Sequence, residues 1–564
     1  MVQIVQRNID QEACQALVDA GVRPTMARLL AARGIRNIGQ MEASLSRLIP
    51  PERLTGNAEM AILLADAIAA GKRIIVVGDY DADGATATAV AVKGLLSMGA
   101  VVDFLVPNRF EYGYGLTPEI VALAVGYQPD LILTVDNGIA STDGVNAAQA
   151  LGIPVLVTDH HLPGAETPRA ACIVNPNQHG CDFPSKHLAG VGVIFYVLLA
   201  LRAELRRRGA FAAGSEPNLT ELLDLVALGT VADLVRLDDN NRILVEQGLR
   251  RIRAGKCSPG VLALFEVAGR DHAKASPQDL GFSIGPRLNA AGRLDDMTLG
   301  IACLLAPDMA SARQIAQHLH ALNQERRNIE ADMQDDALAV LDEIDAAGRY
   351  SLSLFRDGWH QGVIGILASR IKERFHRPVI AFASAGDGII KGSGRSIAGL
   401  HLRDALDLLS KREPGLLLKF GGHAMAAGLS IREQDFPRFD AAFEQVVSGL
   451  LTQQQLEAVI EVDGSLSLED AGLDMANALE RQVWGQGFPP PLFLDEFRVV
   501  NQRVVGERHL KLSLERAGQV FDAIFFRQEQ FLPERVHAVY QMQVNEFRGT
   551  QSVQLCLHHW QDAV

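Results

Sequence analysis

The chain has 564 residues, of which 48% are hydrophobic, and a formal net charge of −14 at pH 7. This length predicts three or four domains, with enough apolar content for a buried core in each. The acidic total argues against a protein that coats duplex nucleic acid indiscriminately, because lysine and arginine supply most of that affinity. It leaves open a defined channel lined by a local basic track.

The sequence carries no sign of a membrane or secreted protein. Its first residues lack an apolar signal core, and the longest apolar run, 188–201, is too short to span a bilayer. The six cysteines are scattered without pairing periodicity, which predicts reduced thiols. Cys172, His179, Cys181 and His187 could form a zinc knuckle, but their spacing matches no common pattern. We therefore expect a cytoplasmic protein without a membrane partner.

The first two predicted domains differ in their hydrophobic pattern. Residues 1–70 have a helical pattern and are expected to buttress the domain that follows. That domain, 71–307, begins with alternating strands and helices, which predicts a doubly wound parallel-sheet α/β fold. Its runs 73–78, 131–135 and 154–158 are predominantly apolar, as strands buried on both faces of a parallel sheet are.

Four acidic or histidine stretches follow one another in this domain. Three come directly after the apolar runs: Asp79-Tyr80-Asp81-Ala82-Asp83-Gly84, Asp136-Asn137-Gly138-Ile139 and Asp159-His160-His161. The fourth, Val231-Ala232-Asp233, lies at a helix-to-loop transition. Because open α/β sheets bind ligands at the carboxyl ends of their strands, we expect these side chains to meet in one crevice.

These residue types indicate divalent metal. Carboxylates gathered without counter-charge would repel one another, and a pair of cations removes that penalty. Oxygen and imidazole ligands suit Mn²⁺ well and Mg²⁺ less specifically. Two metals can activate water and stabilise both oxygens of an in-line phosphoryl displacement, so the pattern predicts a two-metal phosphoesterase. The alternative is that Asp79, Asp81 and Asp83 only cap the helix beginning near Gly84.

A second α/β unit is predicted after a connecting helix. Residues 308–346 form a long helical pattern that bridges two domains, and the unit itself occupies 347–452. It is rich in glycine, notably in Gly392-Ser393-Gly394-Arg395-Ser396 and Phe420-Gly421-Gly422-His423. Close backbone approach, together with donors from Ser393, Arg395 and His423, favours anion recognition over ordinary glycine-rich turns.

The last domain, 453–564, changes to a strand-like pattern. Five runs alternate or are rich in β-formers: 457–463, 492–503, 508–516, 519–526 and 534–560, with a helix near 467–480. The last run is predicted to be a hairpin around Arg548-Gly549. Five strands and one helix predict a closed C-terminal β-barrel of the OB-fold type. Such barrels commonly bind single-stranded nucleic acid.

The ordered motifs bear a family resemblance. Asp159-His160-His161, together with the other three stretches, resembles the DHH phosphoesterase superfamily, and the unit with Gly421-Gly422-His423 resembles its associated second domain. Three more stretches are similar to the bacterial single-strand-specific exonucleases of that superfamily: Pro107-Asn108-Arg109-Phe110, 226–233 and 285–293. The likeness covers nearly the entire chain. It implies 5′-to-3′ hydrolysis of single-stranded DNA to mononucleotides, dependent on two Mn²⁺ or Mg²⁺ ions.

The resemblance also implies roles for the crevice residues by motif position. Asp81 would bind one metal, Asp83 the other, and Asp136 would bridge both. His160 and Asp233 would complete the ligand set. Asp79 would be a ligand or would support one. His161 would polarise the scissile phosphate or orient a ligand, which makes Asp136, His160 and His161 the expected catalytic residues.

A second set of residues matches the family positions that bind the substrate end. Arg109, Ser393 and Arg395 would grip the terminal 5′ phosphate, and Arg287 and His423 would line the path of the strand. Gripping that phosphate would explain the direction of degradation. The resemblance further implies a helicase and the single-strand-binding protein as partners, in recombination and in mismatch or base-excision repair. A self-contained channel predicts a monomer.

The sequence disfavours two other functions. Pyrophosphatases and small-oligonucleotide phosphodiesterases of the superfamily place histidine four residues before the Asp-x-Asp, where this chain has Val77, and they lack the terminal barrel. A catalytically silent DNA-binding scaffold would be expected to lose metal ligands. This chain keeps the full set.

Overall fold

The computed structural model describes residues 2–108, 111–112, 115–164, 166–212, 214–342, 348–506, 508–547 and 549–563. The chain divides into two compact units. The larger comprises Gln6–His320 and Glu461–Val564, and the smaller comprises Met1–Val5 and Ala321–Ile460. No helix in the described ranges is both long and apolar enough to cross a membrane.

The larger unit is built on a five-stranded parallel sheet. The elements up to the end of this sheet are β1 (Gln3–Gln6), α1 (Gln11–Asp19), α2 (Pro24–Ala31), α3 (Asn57–Ala69), β2 (Arg73–Gly78), α4 (Ala82–Ser97), β3 (Val101–Leu105), α5 (Pro118–Val125), β4 (Leu131–Val135), α6 (Thr142–Ala150), β5 (Val155–Thr158) and β6 (Cys172–Val174). The strand order is β3-β2-β4-β5-β6, and every pairing is parallel.

This order fixes where a ligand can bind. The chain leaves β2 towards β3 on one side and then returns to β4 on the other, so the topological switch point lies between β2 and β4. Open sheets of this kind have their crevice outside the carboxyl ends of the two strands at the switch point. β4 is buried along its whole length, as its uninterrupted apolar sequence predicted.

Helices complete the parallel-sheet part of the larger unit, and the last of them continues into the smaller unit. They are α7 (Gly190–Arg207), α8 (Leu223–Ala232), α9 (Asp239–Arg253), α10 (Pro259–Val267), α11 (Pro277–Asp279), a π-helical turn (Leu280–Ile284), α12 (Gly285–Leu294), α13 (Thr298–Leu305) and α14 (Met309–Asp342). The apolar run at 188–201 is a buried helix, as predicted, because the first nine residues of α7 are all buried. The long helix α14 carries the chain from the larger unit into the smaller one.

The smaller unit has a mixed sheet. Its elements are β7 (Leu352–Phe355), α15 (Ile364–Phe375), β8 (Val379–Ser384), β9 (Ile389–Arg395), α16 (Leu402–Arg412), β10 (Lys419–Gly422), β11 (Ala426–Arg432) and α17 (Phe436–Leu450), followed by β12 (Val459–Val462) at the boundary. The order is β10-β11-β9-β8-β7, in which only β7 and β8 are parallel. Phe382, Phe439 and Phe443 form the centre of one hydrophobic core.

The C-terminal part is a closed barrel. After α18 (Leu473–Glu480), the strands β13 (Phe493–Val505), β14 (His509–Arg516), β15 (Gln519–Phe526), β16 (Arg535–Phe547) and β17 (Thr550–Asp562) close in the order β13-β14-β15-β17-β16. The expectation that 457–463 would be a barrel strand is wrong. That segment, β12, pairs with β1. The prediction of a hairpin within 534–560 is confirmed, because β16 and β17 pair antiparallel and supply two barrel strands. The N-terminal segment thus begins with a strand before its helices.

Candidate metal centre

The first acidic stretch lies in the turn between β2 and α4. Asp81 is the N-cap of α4, and its Oδ1 accepts hydrogen bonds from the backbone N–H of Asp83 at 2.9 Å and of Gly84 at 3.0 Å. The capping alternative is therefore correct for Asp81, but it does not exclude a ligand role. Asp79, Asp81 and Asp136 each place a carboxylate oxygen within 4.8 Å of the others.

Asp136 follows β4 with a strained backbone. Its φ of 62° lies in the left-handed region that few residues other than glycine adopt. The conformation is held because the N–H of Asp136 donates to Thr158 O at 3.0 Å and the Asn137 amide donates to Val77 O at 3.0 Å. Strain of this kind is found where a side chain must point into a site. The Asp136 carboxylate is buried at the switch point.

Asp83 is positioned by a distant helix. The backbone N–H of Gly190 donates to its Oδ2 at 2.6 Å, and that of Val191 donates to its Oδ1 at 2.9 Å. Both donors belong to the first turn of α7, where the helix dipole favours a negative charge. A Cβ at Gly190 would overlap the side chain of Asp136, so glycine is required there. Sequence reasoning did not identify this contact.

His160 and His161 are oriented by Asp159, to which sequence reasoning gave no role. Asp159 Oδ1 accepts from the backbone N–H of His160 at 2.7 Å and lies 2.8 Å from His161 Nδ1. Its Oδ2 accepts from the N–H of Ile139 at 2.9 Å, which ties this motif to the one after β4. A carboxylate that fixes the ring nitrogen of a neighbouring histidine is a common support for metal sites.

The imidazole of His160 lies among three carboxylates. Its Nε2 is 3.1 Å from Asp136 Oδ1, 3.5 Å from Asp233 Oδ2 and 4.0 Å from Asp83 Oδ2. Asp233 reaches this cluster from the C-cap of α8. The structure therefore brings together all six residues that the sequence analysis named as ligands, together with His161, in three overlapping groups.

Electrostatics in the crevice favour added positive charge. Burial, reinforced by the charge of Asp81, raises the pKa of Asp83 from 3.8 to about 7. Burial and the neighbouring aspartates also raise the pKa of Asp136 and of Asp233 well above the usual range. These carboxylates repel one another and are poorly hydrated, which is the situation that bound cations relieve. The donor set of carboxylate oxygens and imidazole fits two Mn²⁺ or Mg²⁺ ions.

Among the described residues, the groups able to hold a metal all belong to this crevice. The cysteine–histidine knuckle considered from the sequence is not among them.

The segment 285–293 supports the turn that carries Asp81. The N–H of Ala82 donates to Asn289 Oδ1 at 2.9 Å. A Cβ at Gly292 would collide with the Tyr80 carbonyl, so this glycine permits close packing of α12 against the turn. Arg287, from the same helix, donates to Ser283 O, and its Nε lies 3.2 Å from His320 Nδ1. Sequence reasoning singled out this segment but gave Asn289 no role.

Three of the five predicted DNA-contact residues lie at one end of the sheet in the smaller unit. Arg395 Nη1 donates to Ser393 Oγ at 3.2 Å, both on β9. A Cβ at Gly365, in the first turn of α15, would lie 3.0 Å from Arg395 Nη2 and from Ser393 Oγ. The two side chains thus meet at a helix N-terminus, which is a ready anion site. His423 closes the β10–β11 turn through its N–H to Ala426 O at 2.8 Å, and Ala426 is the register partner of Arg395. Arg109 lies outside the described residues.

Comparison with known proteins agrees with this architecture. Three family models match: the DHH family N-terminal domain at residues 73–230, the DHHA1 domain at 348–449 and the RecJ OB domain at 462–559. A parallel-sheet domain with this crevice, followed by the second α/β unit, defines the class as a DHH phosphoesterase.

Relatives over the full length identify the family within that class. The chain is 55% identical over 548 residues to the single-stranded-DNA-specific exonuclease RecJ of Dickeya dadantii (strain 3937), covering 95% of both chains. It is 51% identical over 570 residues to the enzyme of the same name from Escherichia coli (strain K12), covering 99% of this chain and 98% of the relative. A crystal structure of RecJ in complex with Mn²⁺ from Thermus thermophilus has a TM-score of 0.83 and 31% identity, and covers 100% of this chain and 79% of that one. The chain belongs to the RecJ family. The predicted family and fold class are confirmed.

Proposed function

We propose that this protein is a metal-dependent exonuclease that degrades single-stranded DNA from its 5′ end to mononucleotides, in DNA recombination and repair. The observation that carries the proposal is the partly buried cluster of aspartates and histidines at the switch point of a RecJ-family chain. The relatives from Dickeya dadantii and Escherichia coli are named as single-stranded-DNA-specific exonucleases.

Two divalent cations, Mn²⁺ or Mg²⁺, would be held by the six clustered residues Asp79, Asp81, Asp83, Asp136, His160 and Asp233. When bound, such ions act as Lewis acids on the phosphodiester and activate water for in-line attack. Asp136 would contribute to holding both ions, because it belongs to the group with Asp79 and Asp81 and also to the group with His160.

His161 is assigned to the scissile phosphate. Asp159 holds its ring through Nδ1, so we assign the phosphate contact to Nε2. In this arrangement the chain itself needs no nucleophilic side chain. Its residues orient the phosphodiester and exclude bulk water from a buried crevice.

The direction of degradation is assigned to a 5′-phosphate grip. Ser393 and Arg395 meet at the N-terminus of α15, where backbone N–H groups and the helix dipole favour an anion. Arg109, Arg287 and His423 are proposed as further DNA-contact residues, as the family resemblance implies. A guanidinium paired with a phosphate monoester gives the geometric specificity that distinguishes a terminal phosphate from an internal one.

The test is degradation of single-stranded DNA labelled separately at its 5′ and 3′ ends, with Mn²⁺ and with EDTA. Early release of a labelled 5′ mononucleotide, only in the presence of metal, supports the proposal. Early release from the 3′ end refutes the polarity. No release from either end, with strand binding intact, refutes the activity.

An enzyme restricted to single strands depends on other proteins to open duplexes. We therefore propose that a helicase supplies its substrate and that the single-strand-binding protein presents it, in the cytoplasm, to a monomeric enzyme. A blunt duplex should resist hydrolysis until a helicase and ATP are added, and sedimentation should give the mass of one chain.

A further inference from the structure

An exposed aromatic side chain belongs to a turn that packs against the end of α8, the helix that leads to Asp233. The π-helical turn Leu280–Ile284 separates α11 from α12, and Phe282 at its centre is 76% exposed. Single π-turns in proteins occur frequently at functional sites, because they redirect one side chain out of the regular helix. Phenylalanine prefers burial, so a ring held this far out in solvent points to a contact with something else.

The packing of this turn fixes its place. A Cβ at Gly281 would lie 3.3 Å from Val231 Cγ1, and a Cβ at Gly285 would lie 3.2 Å from Ala232 Cβ. Val231 and Ala232 are the last two residues of α8, directly before the metal-ligand candidate Asp233. Phe282 lies between these two contact points in sequence, so its backbone is held beside the Asp233 end of the crevice.

A second exposed apolar side chain directly follows Asp233 in the sequence. Leu234, the residue after Asp233, is 63% exposed and has a φ of 59°. This left-handed conformation is uncommon for leucine and turns the chain sharply at the end of α8. Its N–H donates to Val231 O at 3.3 Å, so the turn is closed by a hydrogen bond. One exposed apolar residue therefore directly follows a ligand of the cluster, and the other lies on the turn that packs against the two residues before that ligand.

We propose that Phe282, with Leu234 beside it, forms a base-contacting platform on which a nucleobase of the substrate strand stacks while its phosphate is held at the cluster. The inference rests on the proposed exonuclease function. Phosphate and sugar gain little from an apolar surface, whereas every nucleobase has a π-face that fits one. Stacking of this kind is independent of sequence, which suits an enzyme that must process any strand. It also requires an unpaired base, so the platform would add to the selection against duplex DNA.

The test combines substitutions with modified DNA. Phe282→Ala and Phe282→Trp are compared with the wild type on 5′-phosphorylated single strands that carry one abasic residue at successive positions from the 5′ end. On intact DNA, Phe282→Ala should raise KM by roughly 5- to 150-fold, the range for loss of one stacked base. Phe282→Trp should retain near-wild-type KM because it keeps the aromatic face. Leu234→Ala should give a smaller increase.

The abasic scan separates stacking from a structural effect. For the wild type, an abasic residue at one position, or two adjacent ones, should raise KM as Phe282→Ala does. At that position, Phe282→Ala should cause no further loss, because ring and base act as one unit. Mn²⁺ affinity measured by calorimetry, and thermal midpoint, should match those of the wild type. The matched control is Leu151→Ala, an equally exposed leucine (59%) at the opposite edge of the sheet, which should leave KM unchanged.

The base-contacting platform and the proposed exonuclease function are tested by different results. Equal losses for Phe282→Ala on intact and abasic strands at every position would overturn the platform, and so would a failure of Phe282→Trp to retain KM. A wild-type protein that releases no nucleotide would refute the proposed function itself.

Discussion

Asp136 is the residue on which the proposed metal centre most depends. Its left-handed backbone, buried carboxylate and short distance to His160 place it in two of the three ligand groups. We expect Asp136→Ala to lower kcat by at least about 10³-fold, since catalysis depends on both ions, while single-strand binding stays measurable. The check is single-turnover hydrolysis beside a strand-binding assay. Asp143→Ala, at an exposed aspartate of α6, is the control and should behave as the wild type. Retained hydrolysis in Asp136→Ala would rule out the assigned centre.

Asn289 is expected to act through the turn that it holds. Its Oδ1 accepts the hydrogen bond from Ala82, the residue between Asp81 and Asp83. Because residues that orient metal ligands typically contribute about 10- to 100-fold to metal affinity or activity, Asn289→Ala should weaken Mn²⁺ binding by about that factor. Calorimetric titration measures it, with Asn146→Ala on the exposed surface of α6 as control. Unchanged Mn²⁺ affinity would show that Asn289 contributes to packing and does not orient the metal ligands.

The sequence predicted which residues would meet, but not what holds them. Each acidic stretch follows a strand, and parallel strands end at one edge, so the convergence of Asp79, Asp136 and His160 follows from local pattern alone. The donors from α7 to Asp83 could not be predicted in this way, because they lie 107 residues further along the chain. Asp159 could have been identified, since its contact with His161 is local.

At the scale of the element, the N-terminus of α15 is the feature that the 5′-phosphate grip uses. Gly365→Ala would place a methyl group 3.0 Å from both Arg395 Nη2 and Ser393 Oγ, so these side chains must shift. We expect the preference for 5′-phosphorylated over 5′-hydroxyl strands to fall by roughly tenfold, the loss of about one charge-assisted hydrogen bond. A competition assay with the two strands measures this preference. Gly449→Ala in α17, which has open space around it, is the matched control and should leave the preference intact. An unchanged preference in Gly365→Ala would remove α15 from the grip.

A buried ion pair ties the N-terminal helices to the segment that leads into the barrel. Arg33 Nη1 lies 2.8 Å from Asp463 Oδ1, with side chains 1% and 2% exposed. Asp463→Ala would leave a buried guanidinium without its partner, which typically costs about 3–5 kcal/mol. We expect a clear drop in the thermal midpoint. Glu266→Ala, which removes the exposed pair with Arg313, should change the midpoint little. Similar midpoints for the two variants would contradict this account.

Element types were predictable where the pattern was long. The helix α7 and the strands of the parallel sheet were predicted from their nearly continuous apolar runs. The pairing of β12 could not be predicted. A four-residue strand carries too little pattern to identify the strand it pairs with, and the pairing with β1 is decided by tertiary structure.

For the whole molecule, the charge of the crevice couples metal binding to pH. Burial raises the pKa of Asp83 to about 7, and the pKa values of Asp136 and Asp233 also lie well above 3.8. A carboxyl group whose pKa is higher in the folded than in the unfolded protein contributes fully to the free energy of unfolding at pH values below its unfolded-state pKa. That contribution is lost as the pH rises through its folded-state pKa. The metal-free protein should therefore be destabilised by these groups as pH rises through about 7, and bound cations should compensate.

The expected result is a larger rise in thermal midpoint on adding Mn²⁺ at about pH 8 than at about pH 5.5. Thermal scans with Mn²⁺ and with EDTA at both values measure it. In Asp136→Asn the difference between the two pH values should shrink. A metal effect independent of pH would mean that these carboxylates do not bind the ions.

The order of segments in the larger unit also bears on its synthesis. The chain leaves this unit at His320 and returns at Glu461, so the smaller unit is translated in between. At bacterial elongation rates of about 5–20 residues per second, Asp463 leaves the ribosome roughly 7–30 s after His320. Throughout that interval Arg33 and the surface around it are exposed on the nascent chain, because the segment with Asp463 that buries them is not yet available. The larger unit is therefore completed late in translation. We expect chaperones to bind the nascent chain during this interval.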